Sequence, residues 1–276
     1  MKGRKICGIS LSIILINMAA VMERADENLL PSVYKEVSQA FNVGPADLGY
    51  LTFVRNFVQG LASPLAGILV LHYDRPAVLA MGTLLWALST AAVGASQEFM
   101  QVAFWRAING FGLAIVIPAL QSFIADSYQE GVRGTGFGML GLIGSLGGVG
   151  GGVVATVMAG HEYWGVPGWR VAFVMMASFS SLIGLLVFLF VEDPRTLASP
   201  KASDRNALIG KGSGSSTSIW RESWTAMKAV TKVQTFQVIV LQGLVGSLPW
   251  TAMVFFTMWF ELIGEHFSMF QNESFS

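Results

Sequence analysis

Apolar residues run along this chain in long, nearly unbroken blocks, and polar residues collect in the gaps between them. The pattern predicts seven helical spans: 6–22, continuing through a polar stretch to about 34, then 48–71, 77–96, 99–125, 135–160, 171–191 and 233–260. Four of them, 77–96, 135–160, 171–191 and 233–260, contain no Asp, Glu, Lys or Arg. Each is at least as long as the ~20 apolar residues a helix needs to cross a bilayer core. In hydrocarbon a helix satisfies all its own backbone groups, and these runs lack the two-residue alternation of a barrel strand. The predicted class is an all-α, polytopic membrane protein.

Composition narrows the chemistry. Hydrophobic residues make up 53% of the 276 and charged residues 12%, against about 25% charged in an ordinary soluble domain, which excludes a soluble globule. Seventeen Lys and Arg balance 17 Asp and Glu, so no nucleic-acid partner is expected. A single cysteine, Cys7, excludes an intramolecular disulfide. His72, His161 and His266 are too dispersed for a metal cluster, and neither HExxH nor CxxC occurs. No metal, no cofactor and no catalytic residue is expected, and without a nucleophile–base constellation the chain does not read as an enzyme.

Charge also orients the spans. With Lys2, Arg4 and Lys5 in the cytosol, Arg75, Arg133, Arg195, Lys201, Arg205, Lys211, Arg221, Lys228 and Lys232 fall on that side too. Lys35 and the boundary residue Arg170 are left outside, so the positive-inside rule places the amino terminus in the cytosol. The basic start and short apolar core also fit a signal peptide cut near Met18-Ala19-Ala20, but cleavage would strand the charged end of the first span. The expected organisation is a six-helix bundle over 1–195, a cytosolic linker over 196–232, a seventh helix over 233–263 and a polar tail over 264–276. Within the linker, residues 220–232 place Trp220, Trp224, Met227 and Val230 at helical spacing. That segment reads either as a helix on the membrane surface or as a lead into the next span.

Six charges lie within or at the edges of the predicted helices: Glu23, Arg24, Asp26, Glu27, Arg55 and Arg106. Each would cost about 2.5–3.5 kcal/mol at mid-bilayer, and three acids with three bases point to mutual pairing. At about 1.5 Å of rise per residue, Arg55 and Arg106 fall about 12–14 Å below the outer surface and Glu23 and Arg24 about 14–15 Å, in one layer. Glu23 and Glu27 are four apart, as are Arg24 and Asn28, so acids and bases form adjacent stripes of one wedge. Two readings fit: static ion pairs that fix helix packing, or a charged layer lining a transport pathway.

Residues 131–152 hold eleven glycines, including Gly136, Gly138 and Gly141 in the spacing of a dinucleotide fingerprint. Without a preceding strand the match is spurious. Gly144/Gly148 and Gly147/Gly151 are spaced for close approach of another helix. Pro64, Pro118 and Pro249 predict helix kinks.

Val21-Met22-Glu23-Arg24 followed by Leu29-Leu30-Pro31, then Arg106, Asn109, Gly110 and Gly112 in the fourth span, form a recognisable ensemble. Gly168-Trp169-Arg170 opens the sixth span and Glu192-Asp193-Pro194-Arg195 closes it. Over about residues 6–260 the chain resembles a major facilitator superfamily transporter, spinster-like in its acid–arginine element, comprising the amino-terminal half plus one helix. The family's loop between spans two and three usually reads Gly-x-Leu-x-Asp-Arg-x-Gly-Arg. Here Gly67, Leu69 and Arg75 match, Leu71 stands at the acidic position and Asp74 replaces a glycine, so the conformational loop motif maps onto Gly67, Asp74 and Arg75. The Gly-Pro pair of antiporters is missing from the fifth span.

The resemblance implies alternating access of two six-helix bundles about a central site. Its partners would be the lipid bilayer, a small organic or amphipathic solute, and protons. Glu23, Arg24, Glu27, Arg55, Arg106 and Asn109 would line the substrate and proton pathway, with Glu23 the proton-sensitive acid. Arg24 and Arg106 would compete for its carboxylate or for an anionic group of the solute. One helix beyond the first bundle and a polar tail predict a truncated transporter, to be completed by the missing carboxy-terminal half. A different class, a non-transporting regulatory membrane protein that binds a full-length relative, also fits. A seven-span receptor does not, because its termini would be reversed. Asn272-Glu-Ser274 is a glycosylation acceptor on the predicted outer side.

Overall fold

A computed structural model describes residues 5–6, 9–191, 193, 216–243 and 245–246. The predicted seventh span beyond 246, the tail, Asn272, Pro249 and most of the linker before 216 lie outside the described residues. The chain divides into two units, Met1–Arg205 and Asn206–Ser276.

In the first unit the predicted start of the first span is corrected. Strands β1 (Lys5–Ile6) and β2 (Ile9–Ser10) pair antiparallel, so their backbone groups meet each other and α1 runs over Leu11–Leu29. Its continuation to about 34 is corrected as well. Pro31 has no N–H and its ring would strike the preceding turn. The chain tightens there into a 3₁₀ turn, Pro31–Val33, before a separate helix α2, Tyr34–Phe41. Asn42 closes α2 in the left-handed region at φ 51°, which its short side chain tolerates. Then follow α3 (Pro45–His72), α4 (Arg75–Ala95), α5 (Phe99–Ser127), α6 (Arg133–Ala159) and α7 (Gly168–Phe190). A small hairpin of β3 (Glu162–Tyr163) and β4 (Val166–Pro167) joins α6 to α7.

Among the described residues five helical segments, corresponding to α3–α7, are long and apolar enough to cross a membrane. Helix α1 misses that measure because it carries Glu23, Arg24, Asp26 and Glu27 in 19 residues. Pro64 and Pro118 lie inside unbroken α3 and α5. The glycines of the spurious fingerprint lie in α6, preceded by the 3₁₀ turn Glu130–Val132 and by no strand.

Helix α5 packs against α3 and α4, α4 also against α7, and α1 against α6 and α7. Two of these contacts depend on missing β-carbons. At α1–α6, a β-carbon on Gly147 would lie 2.8 Å from Val21 Cα and one on Gly151 2.8 Å from Ala25 Cα. Close packing through small residues is what drives helix association where lipid is as apolar as protein. At α4–α5, Gly82 and Gly112 face each other, so Trp86 is fully buried beside Gly112.

Buried apolar residues form two clusters. One contains Leu15, Ile16, Ala66, Val70, Leu79, Trp86, Leu113 and Val116, the other Leu29, Val33, Leu48, Leu51, Val93, Val102, Ala103 and Phe173. Along α3, α4 and α5 the two are separated by stretches that hold the buried polar residues Arg55, Thr90, Arg106 and Asn109, and Asp26 meets them from α1, between Ala25 and Leu29 of the second cluster. A charged layer between two apolar clusters is therefore built into the bundle.

In the second unit, α8 spans Ser216–Thr231, four residues earlier than predicted at its start, and residues 234–243 form a further helical segment. The chain breaks helix at 232–233, so α8 does not run continuously into that segment. Exposed Trp224, Met227 and Val230 share a face of α8, and Lys228 Nζ stands 5.7 Å over the Trp224 ring.

Candidate functional site: a charged layer beside a cleft

The wedge on α1 presents two faces. Asp26 turns into the bundle and is fully buried. It accepts hydrogen bonds from Thr90 Oγ1 at 2.8 Å and Asn109 Nδ2 at 3.2 Å, and Asn109 Nδ2 also donates to Thr90 Oγ1 at 3.0 Å. Asn109 Oδ1 accepts from Arg55 Nε at 2.9 Å, and Arg55 Nη2 stands 3.9 Å from Asp26 Oδ2. Four helices, α1, α3, α4 and α5, thus meet through one polar cluster. Arg106, 1% exposed, is buried in the same layer near the charges of Arg55 and Asp26, and its Nε has no hydrogen-bond partner.

The other face of the wedge opens onto a cleft of about 310 Å³ whose lining includes Glu23, Arg24, Glu27, Arg55, Gln59 and Gln121. Arg24 Nη1 donates to Glu27 Oε2 at 2.7 Å, and Arg24 Nε lies 3.5 Å from Glu23 Oε2. The Arg24 and Glu27 side chains are 54% and 44% exposed, and such an exposed pair contributes only about 0.3–0.5 kcal/mol. The buried Asp26 cluster therefore contributes more to holding the layer together than the exposed Arg24–Glu27 pair does. Gly144 and Gly148 of α6 let the Arg24 stem lie against the helix, with a β-carbon on Gly144 only 3.1 Å from Arg24 Cγ.

Of the residues singled out from sequence, Glu23, Arg24, Glu27 and Arg55 line the cleft together. Asn109 and Arg106 lie behind them in the buried cluster, and Arg55, not Arg106, shares the cleft with Glu23. Gly67 and Asp74 are exposed elsewhere, Gly67 about 18 Å further along α3 from Arg55 at helical rise. Arg75 is buried at the start of α4, where its Nη1 donates to Ser122 O at 3.0 Å and its Nη2 pairs with Asp126. The Arg75 backbone N–H also reaches Asp193 Oδ2 at 3.5 Å. Arg75 so ties the α3–α4 loop to the end of α5. Arg75→Ala is expected to cost about 2 kcal/mol, the charge-assisted bonds of a buried guanidinium to the Ser122 carbonyl and to the exposed Asp126 carboxylate, read by chemical denaturation in micelles. An unchanged midpoint would contradict this.

The sequence reading named Asp26 among the membrane charges without making it a site residue, and it missed Thr90, Gln59 and Gln121. Asp26 carried a signal, since it lies three residues from Glu23 and off the Arg24 stripe. A threonine hydroxyl in an apolar helix carried none.

The model of the family described as Major Facilitator Superfamily matches residues 16–274. The chain belongs to the Major Facilitator Superfamily. Its sequence is 26% identical over 179 residues to the cis,cis-muconate transport protein of Acinetobacter baylyi, covering 64% of this chain and 41% of that protein. It is 23% identical over 187 residues to multidrug resistance protein 1 of Bacillus subtilis, covering 67% of this chain and 46% of that protein. The chain thus spans less than half the length of both relatives. Among solved structures its fold is similar to a bacterial homolog of the human lysosomal transporter Spinster in an inward-facing, occupied conformation. That match has a TM-score of 0.62 at 19% identity and covers 66% of this chain and 44% of that one. A D-xylose-proton symporter matches with a TM-score of 0.59 at 14% identity, over 72% of this chain and 52% of that one. The superfamily is one of membrane transporters, and the all-α, multi-pass architecture described above is its fold.

Proposed function

We propose that this superfamily member is a secondary active transporter of a small organic or amphipathic solute, coupled to protons and working by alternating access. The observation that supports it most is the cleft beside the charged layer, where Glu23, Arg24, Glu27 and Arg55 converge between two apolar clusters. Charges used only for packing gain nothing from facing an opening, whereas here two arginines and two glutamates do. The names of the muconate transport protein and the xylose-proton symporter add support for a small solute and for protons.

In this reading Glu23 takes up the proton. Neutral Glu23 leaves Arg24 to Glu27 alone and removes one negative charge beside Arg55, which shifts the balance between outward-open and inward-open forms. The amino terminus is cytosolic, and a second six-helix half closes the cleft from the opposite side.

The test is uptake of labelled cis,cis-muconate into vesicles under an imposed pH gradient, with the chain and with Glu23→Gln. The expected result is uptake driven by the gradient in the native chain and uptake indifferent to it in Glu23→Gln. Unchanged gradient dependence in the variant overturns the role of Glu23. Absence of uptake by this chain alone, with altered uptake when a full-length relative is present, favours a regulatory protein instead.

A further inference from the structure

We infer that the cleft binds the carboxylate of an organic anion, that Arg55 is the residue that reads it, and that each anion arrives with one proton on Glu23. The inference rests on the transporter reading above and names its substrate class.

The first argument is geometric. Arg55 is 4% exposed, yet it lines the cleft. Its Nε is committed to Asn109 Oδ1, which fixes the plane of the guanidinium. Its Nη2 stands 3.9 Å from Asp26 Oδ2, beyond hydrogen-bond reach. Asp26 Oδ1 and Oδ2 each accept one hydrogen bond, from Thr90 and from Asn109, so Asp26 balances the charge of Arg55 without bonding its Nη2. A buried guanidinium held by one edge, with its other donors open to a cavity, suits a carboxylate bound in the plane of the fork. Gln59, one turn further along α3, and Gln121 from α5 add amide donors, while Ile117, Phe137 and Leu140 offer an apolar wall for the rest of the anion.

The second argument is charge. The buried cluster holds Arg55, Arg106 and Asp26, a surplus of one positive charge. The cleft wall holds Glu23, Glu27 and Arg24, a surplus of one negative charge. Glu23 is faced by Arg24, Asp26 and Glu27 on its own helix and by Arg55 from α3. From α5, Arg106 lies behind Arg55, and α6 lines the cleft with Phe137, Leu140, Gly141 and Gly144. The layer is neutral as it stands. Adding an anion alone places an uncompensated negative charge beside Glu23, which is unfavourable. Adding an anion together with a proton on Glu23 restores neutrality, and the proton sits on the carboxyl that would otherwise repel the incoming one. At the Arg55 guanidinium itself a cation would be repelled where a carboxylate is attracted.

The test uses the full chain in phosphatidylcholine nanodiscs and three probes with one ring: cyclohexanecarboxylate, cyclohexylammonium and cyclohexylmethanol. Binding is followed by calorimetry at millimolar probe, and proton uptake by repeating it in buffers of different ionisation heat. The expected result is binding of the carboxylate alone, with about one proton taken up per carboxylate and affinity falling about tenfold per pH unit on the alkaline side. Arg55→Lys, which keeps the charge and loses the fork, is expected to weaken binding about ten- to a hundredfold. Glu23→Gln is expected to bind the carboxylate with no proton uptake and no pH dependence, and it carries the test even if the Arg55 variant does not fold. Nanodiscs doped with oleic acid separate two sources of the carboxylate, since competition by oleate marks a lipid-borne anion and its absence a soluble one. Equal binding of the ammonium or alcohol probe, binding of none, or proton uptake that persists in Glu23→Gln overturns the inference. Carboxylate binding without transport in vesicles would overturn the carrier reading and leave this one standing. Transport of an uncharged solute without carboxylate binding would do the reverse.

Discussion

Asp26→Ala is expected to destabilise the first bundle by about 3–5 kcal/mol, the cost of leaving buried charges without their partner. Asp26 is the sole acid of the buried cluster as described, and Arg55 and Arg106 both depend on its charge. Its removal also leaves Thr90 Oγ1 and Asn109 Nδ2 with one acceptor fewer in a layer sealed by apolar clusters above and below. Asp26→Asn keeps the shape and one acceptor and is expected to lose less. Thermal unfolding in micelles, followed by circular dichroism, reads both variants against the native chain. A melting curve for Asp26→Ala that overlays the native one would show that the layer does not carry the bundle.

Gly110→Val is expected to have the next largest effect, about 3 kcal/mol or more, because its first added atom meets backbone. A β-carbon at Gly110 would overlap the Arg55 carbonyl oxygen and stand 3.2 Å from Arg55 Cα. A flexible side chain could swing away, but helix backbone cannot, so α3 and α5 must part. Overpacking of this kind usually costs about 1–3 kcal/mol when side chains can adjust. Here the displaced residue is Arg55 itself, and its bond to Asn109, the neighbour of Gly110, is lost with the contact. Gly138→Ala is the control. Nothing lies within 4 Å of a β-carbon there, and replacing a helical glycine is expected to stabilise by about 0.5–1 kcal/mol. Equal melting temperatures for the Gly110 and Gly138 variants would contradict the close approach of α3 and α5.

Much of this fold was legible because a bilayer imposes a coarse rule on sequence. The charge-free blocks at 77–96, 135–160 and 171–191 correspond to α4, α6 and α7 within three residues at each end. The ends of α1 were less legible. Its start is moved by a hairpin formed between residues three and five apart, and its end by Pro31, whose ring cannot be accommodated in a continuing helix. The layer of charges was legible in outline, since rise per residue gives depth without any knowledge of neighbours. Its inner arrangement was not. The spacing on α1 grouped Glu23 with Glu27 and Arg24 with Asn28, and left Asp26 unassigned between them.

By itself the sequence determined that this is a bundle of membrane-length helices, and that acids on α1 share a level with Arg55 on α3 and Arg106 on α5. It did so because hydropathy and rise are properties of one helix at a time. Tertiary structure alone decided that Asp26 faces inward to Thr90 and Asn109 while Glu23 and Glu27 face the cleft. It also decided that Arg55 bridges the two and Arg106 stays behind. The rotation of each helix about its axis is set by where neighbouring backbones can touch, at Gly110 against Arg55 and at Gly147 and Gly151 against α1. Those contacts join residues tens of positions apart, which no periodicity within a single helix can express.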